Sequence, residues 1–285
     1  VYKVDLSAGV LSVFAGAGAS GFGGDGGPAA SALFNDINGL AFTPAGALLL
    51  SDSFNNRIRS VAPDPFDLAI DLGTTQAFLD LLTGIEGGVL MVNVDGRTLL
   101  IIPNLLSVGL DVTITGSDQL LVVDLDALHR VGGNIDISGN LAMTSIDLSG
   151  LTSVGGNLTL INDPSLSAIL ISGVVTIGGD LTIVGSAATV INMASLVSVS
   201  GSLNISDNQS ASAIDMGALT TVSGSLTLDN NIAADPINMG SLTTVGGDLS
   251  SSGNTAAAAI DMSLVSTSGN VTIDGNTSAL VIDMS

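Results

Sequence analysis

The chain repeats one short phrase along most of its length. "LTTVSGSLTLDNN" (219–231) and "LTTVGGDLSSSGN" (242–254) are near-copies, and related copies begin at Leu82, Leu105, Leu128, Leu151, Val174, Leu196, Leu219, Leu242 and Leu264. Successive copies are 23, 23, 23, 23, 22, 23, 23 and 22 residues apart. A sustained period of this size marks a solenoid, in which no repeat can bury its apolar face alone and each stacks on its neighbours. Each copy reads approximately L-x-x-V-G-G-x-L-x-I-x-x-N, then a variable stretch, then I-D-M-S. "GGNLTL" (155–160) and "AIDMS" (259–263) alternate apolar and polar residues, the pattern of a strand with one buried face. The spacing predicts an all-β fold: a parallel β-solenoid of about nine 22–23-residue coils over residues 82–285, with two or three short strands per coil. At about 4.8 Å per rung it would be roughly 40 Å long. Leu158, Leu181, Leu203, Leu226 and Leu249 hold the same place in successive coils and should form one inward column.

Composition agrees with this reading. Hydrophobic residues make up 46% of the chain but aromatics only 3%, so a core must be built of Leu, Ile, Val and Ala. Nearly all the acid is Asp, a residue of turns and caps; Glu86 is the only Glu and Lys3 the only Lys. Helix content should therefore be low. The formal charge is −21 with five basic residues in all, which excludes a nucleic-acid interface and attraction to anionic membranes. With no cysteine there is no disulfide and no thiolate chemistry. No apolar run reaches the roughly 20 residues of a membrane-spanning helix, so no membrane insertion is expected. The chain opens at Val1 without Met or a signal peptide and reads as a processed or partial sequence.

Two polar columns recur with the repeat. Asn140, Asp163, Ser186, Asn208, Asn231, Asn254 and Asn276 stand twelve residues after each coil start. Asn tolerates left-handed backbone and bonds backbone groups, so the column reads as a buried ladder satisfying corner backbone. Asp124, Asp147, Asn192, Asp215, Asn238, Asp261 and Asp283 form the second column. It reads as a solvated polar face, against the alternative of weak divalent-cation sites, because Ca²⁺ takes several oxygen ligands. Glycine pairs at 132–133, 155–156, 178–179 and 246–247 should supply corners of positive φ. Ser225 reads as an exposed position.

"LTSVGGNLTL" (151–160), its copies and the Asn column resemble the leucine-rich-like solenoids of the receptor L-domain type found in cell-surface and cell-wall proteins. The resemblance covers residues 82–285 and implies extracellular display. The chain departs from that family in lacking cysteines and flanking helices, so a receptor-type ligand site is not carried over.

Residues 1–62 differ. "GFGGDGGPAASALFNDINGLAF" (21–42) and "LLLSDSFNNRIRSV" (48–61) resemble an NHL repeat, one blade of a β-propeller. The carrying features are the glycine-rich loop, the strand Gly39–Phe42 and the D-x-x-N-N-R-I-R run of Asp52–Arg59; Arg57 and Arg59 match structural positions of such a blade. Residues 63–81 open with prolines, then offer the best helical pattern in the chain, and read as a linker and cap.

Reactive constellations are scarce. "GAGASG" (16–21) fits G-x-G-x-x-G, but "FGGDGGP" follows where a dinucleotide site needs a helix. His129 and Arg130 are an isolated basic pair expected at a water-facing corner. Sequons at Asn157, Asn204, Asn208, Asn270 and Asn276 are common by chance in a chain of this composition. No catalytic, cofactor or metal residue is assigned, and the chain is not expected to be an enzyme. The expected function is structural: a subunit of an extracellular surface fibre or filament, or an adhesin stalk. The alternative is a cell-surface module recognising glycan or protein. The last coil carries no cap, and its final strand, 280–284, should present an open edge for head-to-tail contact with another copy or with other surface proteins.

Overall fold

The structure, a computed structural model, describes every residue except 6–9, 14, 26–28, 43–47, 62–67, 71–73, 75, 86–89, 93–95, 262–264, 279–280 and 284–285. It is all-β, 4% helical, and falls into two units, Val1–Pro65 and Phe66–Ser285.

In the second unit the alternating stretches become strands as their pattern requires. "LTLI" is the strand Leu158–Ile161, with Leu158 and Leu160 buried and Thr159 and Ile161 half-buried. Around it, Ser153–Val154 and Ala168–Leu170 complete a rung of three strands. Every strand pairs in parallel with its counterpart one repeat away, giving sheets of nine, ten and seven strands. The third sheet's pattern continues in the pair Ala259–Asp261 and Val281–Asp283. Nine stacked strands make about eight turns of parallel β-solenoid.

Register is kept without slippage. Leu158 pairs with Leu181, Leu181 with Leu203, Leu203 with Leu226 and Leu226 with Leu249, all buried in one column. Ile146, Ile169, Ile191, Ile214 and Ile237 form another from the third sheet. The continuous core runs from Leu79 to Ala257 and contains Leu, Ile, Val, Met and Ala without an aromatic ring. In-register stacking lets identical branched side chains nest rung upon rung, where rings would force the coils apart.

The glycine pairs do something other than expected. None of them has positive φ. They are glycine because rungs nearly touch there: a Cβ on Gly155 would lie 2.0 Å from the Gly132 carbonyl oxygen, and one on Gly156 2.3 Å from Asn134 Oδ1. The left-handed column sits instead just before the buried polar ladder, at Gly116, Gly139, Asn162, Gly185, Asp207, Asn230, Gly253 and Gly275, with φ between 57° and 71°. Those residue types are the ones that adopt this backbone at low cost.

Within the segment expected as linker and cap, Leu68–Ile70 pairs in parallel with Leu90–Val92, so the ten-stranded sheet starts before Leu82. Its helical pattern yields only the single turn Gln76–Leu79, whose Leu79 is buried in the solenoid core. Residues 62–67 lie outside the described residues. At the other end, Val281–Asp283 is a strand; Leu280 and Met284 lie outside the described residues.

The first unit holds an antiparallel three-stranded sheet, Ile37–Phe42, Leu48–Asp52 and Arg57–Val61, and a separate hairpin pair, Tyr2–Asp5 with Val10–Val13. Its small core is Ala15, Ala32, Phe34, Leu48, Leu50 and Val61.

Candidate functional site

Polar side chains in the solenoid are spent on backbone, of neighbouring rungs or of their own turn. In the buried ladder, each Asn side-chain oxygen accepts the backbone N–H of the rung before. Asn140 Oδ1 takes the Ser117 N–H (3.0 Å), Asn208 that of Ser186 (3.1 Å), Asn231 that of Asn208 (3.2 Å) and Asn254 that of Asn231 (3.0 Å). Each amide Nδ2 donates to a carbonyl further back: Asn140 to Ile114 (2.9 Å), Asn208 to Ile183 (3.0 Å), Asn231 to Ile205 (2.8 Å) and Asn254 to Leu228 (2.6 Å). The column is buried from Ser117 to Asn254, as a corner ladder requires, and half-buried at Asn276. One rung differs. Asp163 is 1% exposed and its Oδ1 accepts from Asn140 N (2.7 Å) and Nδ2 (3.2 Å), while its Oδ2 has no partner. Burial pushes this carboxyl up to about 6, against the pull of the Asn140 donors and with added repulsion from Asp136.

The second ladder is a row of tight turns. Asp124, Asp147, Asn192, Asp215 and Asn238 each accept, through Oδ1, the backbone N–H two residues on, at 2.9–3.2 Å. Asn238 Nδ2 also donates to Asp215 Oδ1 (2.8 Å), so at this rung an interspersed amide turns neighbouring repulsion into attraction. Leu170 occupies the place in one rung. The side chains of Asp261 and Asp283 lie outside the described residues. No group of three or more metal-ligating side chains occurs among the described residues.

A third ladder went unrecognised in the sequence. The residue after each glycine pair, or after its Ser-Gly or Gly-Leu counterpart, accepts the backbone N–H of the rung that follows. Asp111 takes the N–H of Asn134 (2.6 Å), Asn134 that of Asn157 (2.8 Å), Asn157 that of Asp180 (2.7 Å) and Asp180 that of Ser202 (2.7 Å). Ser202 Oγ, Ser225 Oγ and Asp248 Oδ1 continue it to Ser225, Asp248 and Asn270. Ser225 is therefore half-buried and engaged rather than exposed. Its members vary among Asp, Asn and Ser; the repeating signal is an acceptor directly after the corner.

Elsewhere several basic residues are also engaged. His129 and Arg130 are exposed at a corner, where His129 Nδ1 lies 2.5 Å from the Ala127 carbonyl oxygen. In the first unit, Arg59 donates to the Leu33 carbonyl (2.6 Å), the Gly23 carbonyl (3.0 Å) and Asp25 (2.6 Å), and lies over Phe34 and Phe22. Arg57 stacks on Phe22. Asp52, fully buried, accepts from Asn35 N–H (2.6 Å) and Asn55 Nδ2 (2.9 Å) and faces Arg59 at 3.5 Å. Burial alone would raise its pKa, but the Asn35, Asn55 and Arg59 contacts outweigh it and hold the carboxyl below 3.8. The D-x-x-N-N-R-I-R run thus ties the glycine-rich loop to the sheet. "GAGASG" is loop, with Gly16 at φ 99° and Gly18 at φ 82°, and beside it lies a cavity of about 260 Å³ lined in part by Val1, Phe34, Asp36 and Ile37. Of the sequons, Asn208 is fully buried and its amide is committed to the ladder, so it is closed to glycosylation in the folded chain.

No family model, curated protein or solved structure matches the chain.

Proposed function

We propose that this chain is a structural protein of an extracellular assembly, a subunit of a surface fibre or filament or the stalk of an adhesin. The observation that carries this reading is the commitment of polar side chains to rung-to-rung backbone bonding along two ladders, with a third closing the turns within rungs. A surface selected for ligands leaves such groups available, whereas one selected for persistence uses them internally. The rungs keep a 22–23-residue step without insertion, and five basic residues leave few sites for trypsin-like cleavage. In this reading the solenoid belongs with receptor L-domain-like architectures and the first unit with NHL-type blades. The partners are further copies of the chain, stacked head to tail, or other surface proteins.

A second reading, a module binding glycan or protein, draws on the first unit, where Phe54 is 71%, Ile58 69% and Leu40 57% exposed. Electron microscopy and light scattering of the full chain distinguish the two. Filaments with an axial repeat set by stacked solenoids are expected. A stable monomer at high concentration overturns the filament, and a monomer that binds a glycan array until Phe54 is replaced by Ser establishes the module.

A further inference from the structure

Asp163 breaks the chemistry of its ladder at one atom. Its Oδ1 makes the contacts that Asn231 Oδ1 makes three rungs on: Asn140 N and Nδ2 at 2.7 and 3.2 Å, against Asn208 N and Nδ2 at 3.2 and 3.3 Å. Its Oδ2 therefore stands where the other rungs place an amide nitrogen. That nitrogen donates to the carbonyl 26 residues back at Asn140, Asn231 and Asn254. The corresponding acceptor for Asp163 is Ile137. A carboxylate cannot donate to it, and the buried Oδ2 has no partner. The ladder is also interrupted beyond this point: Ser186 turns to Asn208 (Oγ to Oδ1, 2.7 Å), and no hydrogen bond among the described residues joins it to Asp163.

We infer that Asp163 is a proton-operated latch in the middle of the solenoid. Protonated on Oδ2, it donates to the Ile137 carbonyl and completes the rung as an Asn would; ionised, it sets a bare negative oxygen against that carbonyl and opens the rung where the ladder is already discontinuous. The proton passes between Oδ2 and solvent, with no other group changed. Asp136, on the preceding strand Ile135–Ser138, is the charged group that acts on Asp163, and its negative charge favours the protonated form. The strands Leu158–Ile161 and Leu181–Val184 carry no titratable side chain.

The direction of the effect follows from the raised pKa. The latch is closed below the ordinary value of 3.8 and is lost as pH rises through about 6, so it tightens the solenoid in acid. Asp163→Asn should close the rung at every pH. The expected result is a melting temperature equal to the parent's near pH 4 and several degrees above it at pH 8, with the difference developing between those limits. In the unaltered chain, the ¹³C carboxyl resonance of Asp163 should titrate near 6, above the ordinary aspartate value of 3.8. An Asp163 midpoint near 4, or an Asp163→Asn chain that melts below the parent at pH 8, overturns the latch. The resonance decides the matter on the native chain even if the variant fails to fold.

Discussion

At the residue scale, an Asn in this solenoid is worth what its two neighbours lose without it. Asn231 satisfies the Asn208 N–H and the Ile205 carbonyl, both in a region closed to water. Asn231→Ala leaves those buried groups unpaired and should cost about 1–3 kcal/mol. Ser225→Ala removes one acceptor, for the Asp248 N–H, at a half-buried place where water can substitute, and should cost about 0.5–1 kcal/mol. Urea midpoints of the two variants at one pH measure the difference. Equal shifts would mean that the inner column is as wet as the outer one.

At the element scale, each rung contributes strands of only two to four residues, too short to persist alone. Their stability comes from pairing on both sides, as for Leu203–Ser206, which lies between Leu181–Val184 and Leu226–Asp229. Val271–Asp274 ends its sheet; Val271 is 39% exposed, where the matching Leu203 and Leu226 are buried. In a stack with nearest-neighbour coupling, opening propagates from such an end. Amide exchange at Ile205 should be slower than at Ile273 by at least about a hundredfold, the factor for ~2.7 kcal/mol of extra opening free energy. Uniform protection across the rungs would show that the solenoid opens as one unit.

At the scale of the whole molecule, the −21 charge is carried by many carboxylates, and among the described residues two are tuned in opposite senses. Asp163 has a raised pKa and favours the folded solenoid in acid. Asp52 has a depressed one, so the stability it gives the first unit is present above 3.8 and is lost as pH falls through its folded-state value. Acidification below 3.8 should therefore loosen the sheet of Leu48–Asp52 while the solenoid strands remain protected. Residue-resolved NMR during an acid titration reads both units at once. Asp52→Asn should weaken the first unit at pH 7 and flatten its acid limb; an acid limb unchanged by that substitution would place the sensitivity elsewhere.

Much of this was legible in the chain itself. A 22–23-residue period with alternating apolar positions leaves stacking as the means of burying them, so the solenoid, its parallel register, the Leu158–Leu249 column and the buried Asn ladder all follow from spacing. Glycine types were legible but their reason was not. Pair glycines such as Gly155 answer to a carbonyl one rung away, and the true left-handed column precedes the ladder, because φ and close approach leave the same residue in the sequence. The third ladder was hidden for a related reason: Asp, Asn and Ser interchange where only an acceptor oxygen is needed. Which carboxyl oxygen of Asp163 lacks a partner, and that Leu68–Ile70 joins the sheet, depend on three-dimensional proximity across rungs. Periodicity determines which residues share a column; only the stacked backbone decides what each atom in that column meets.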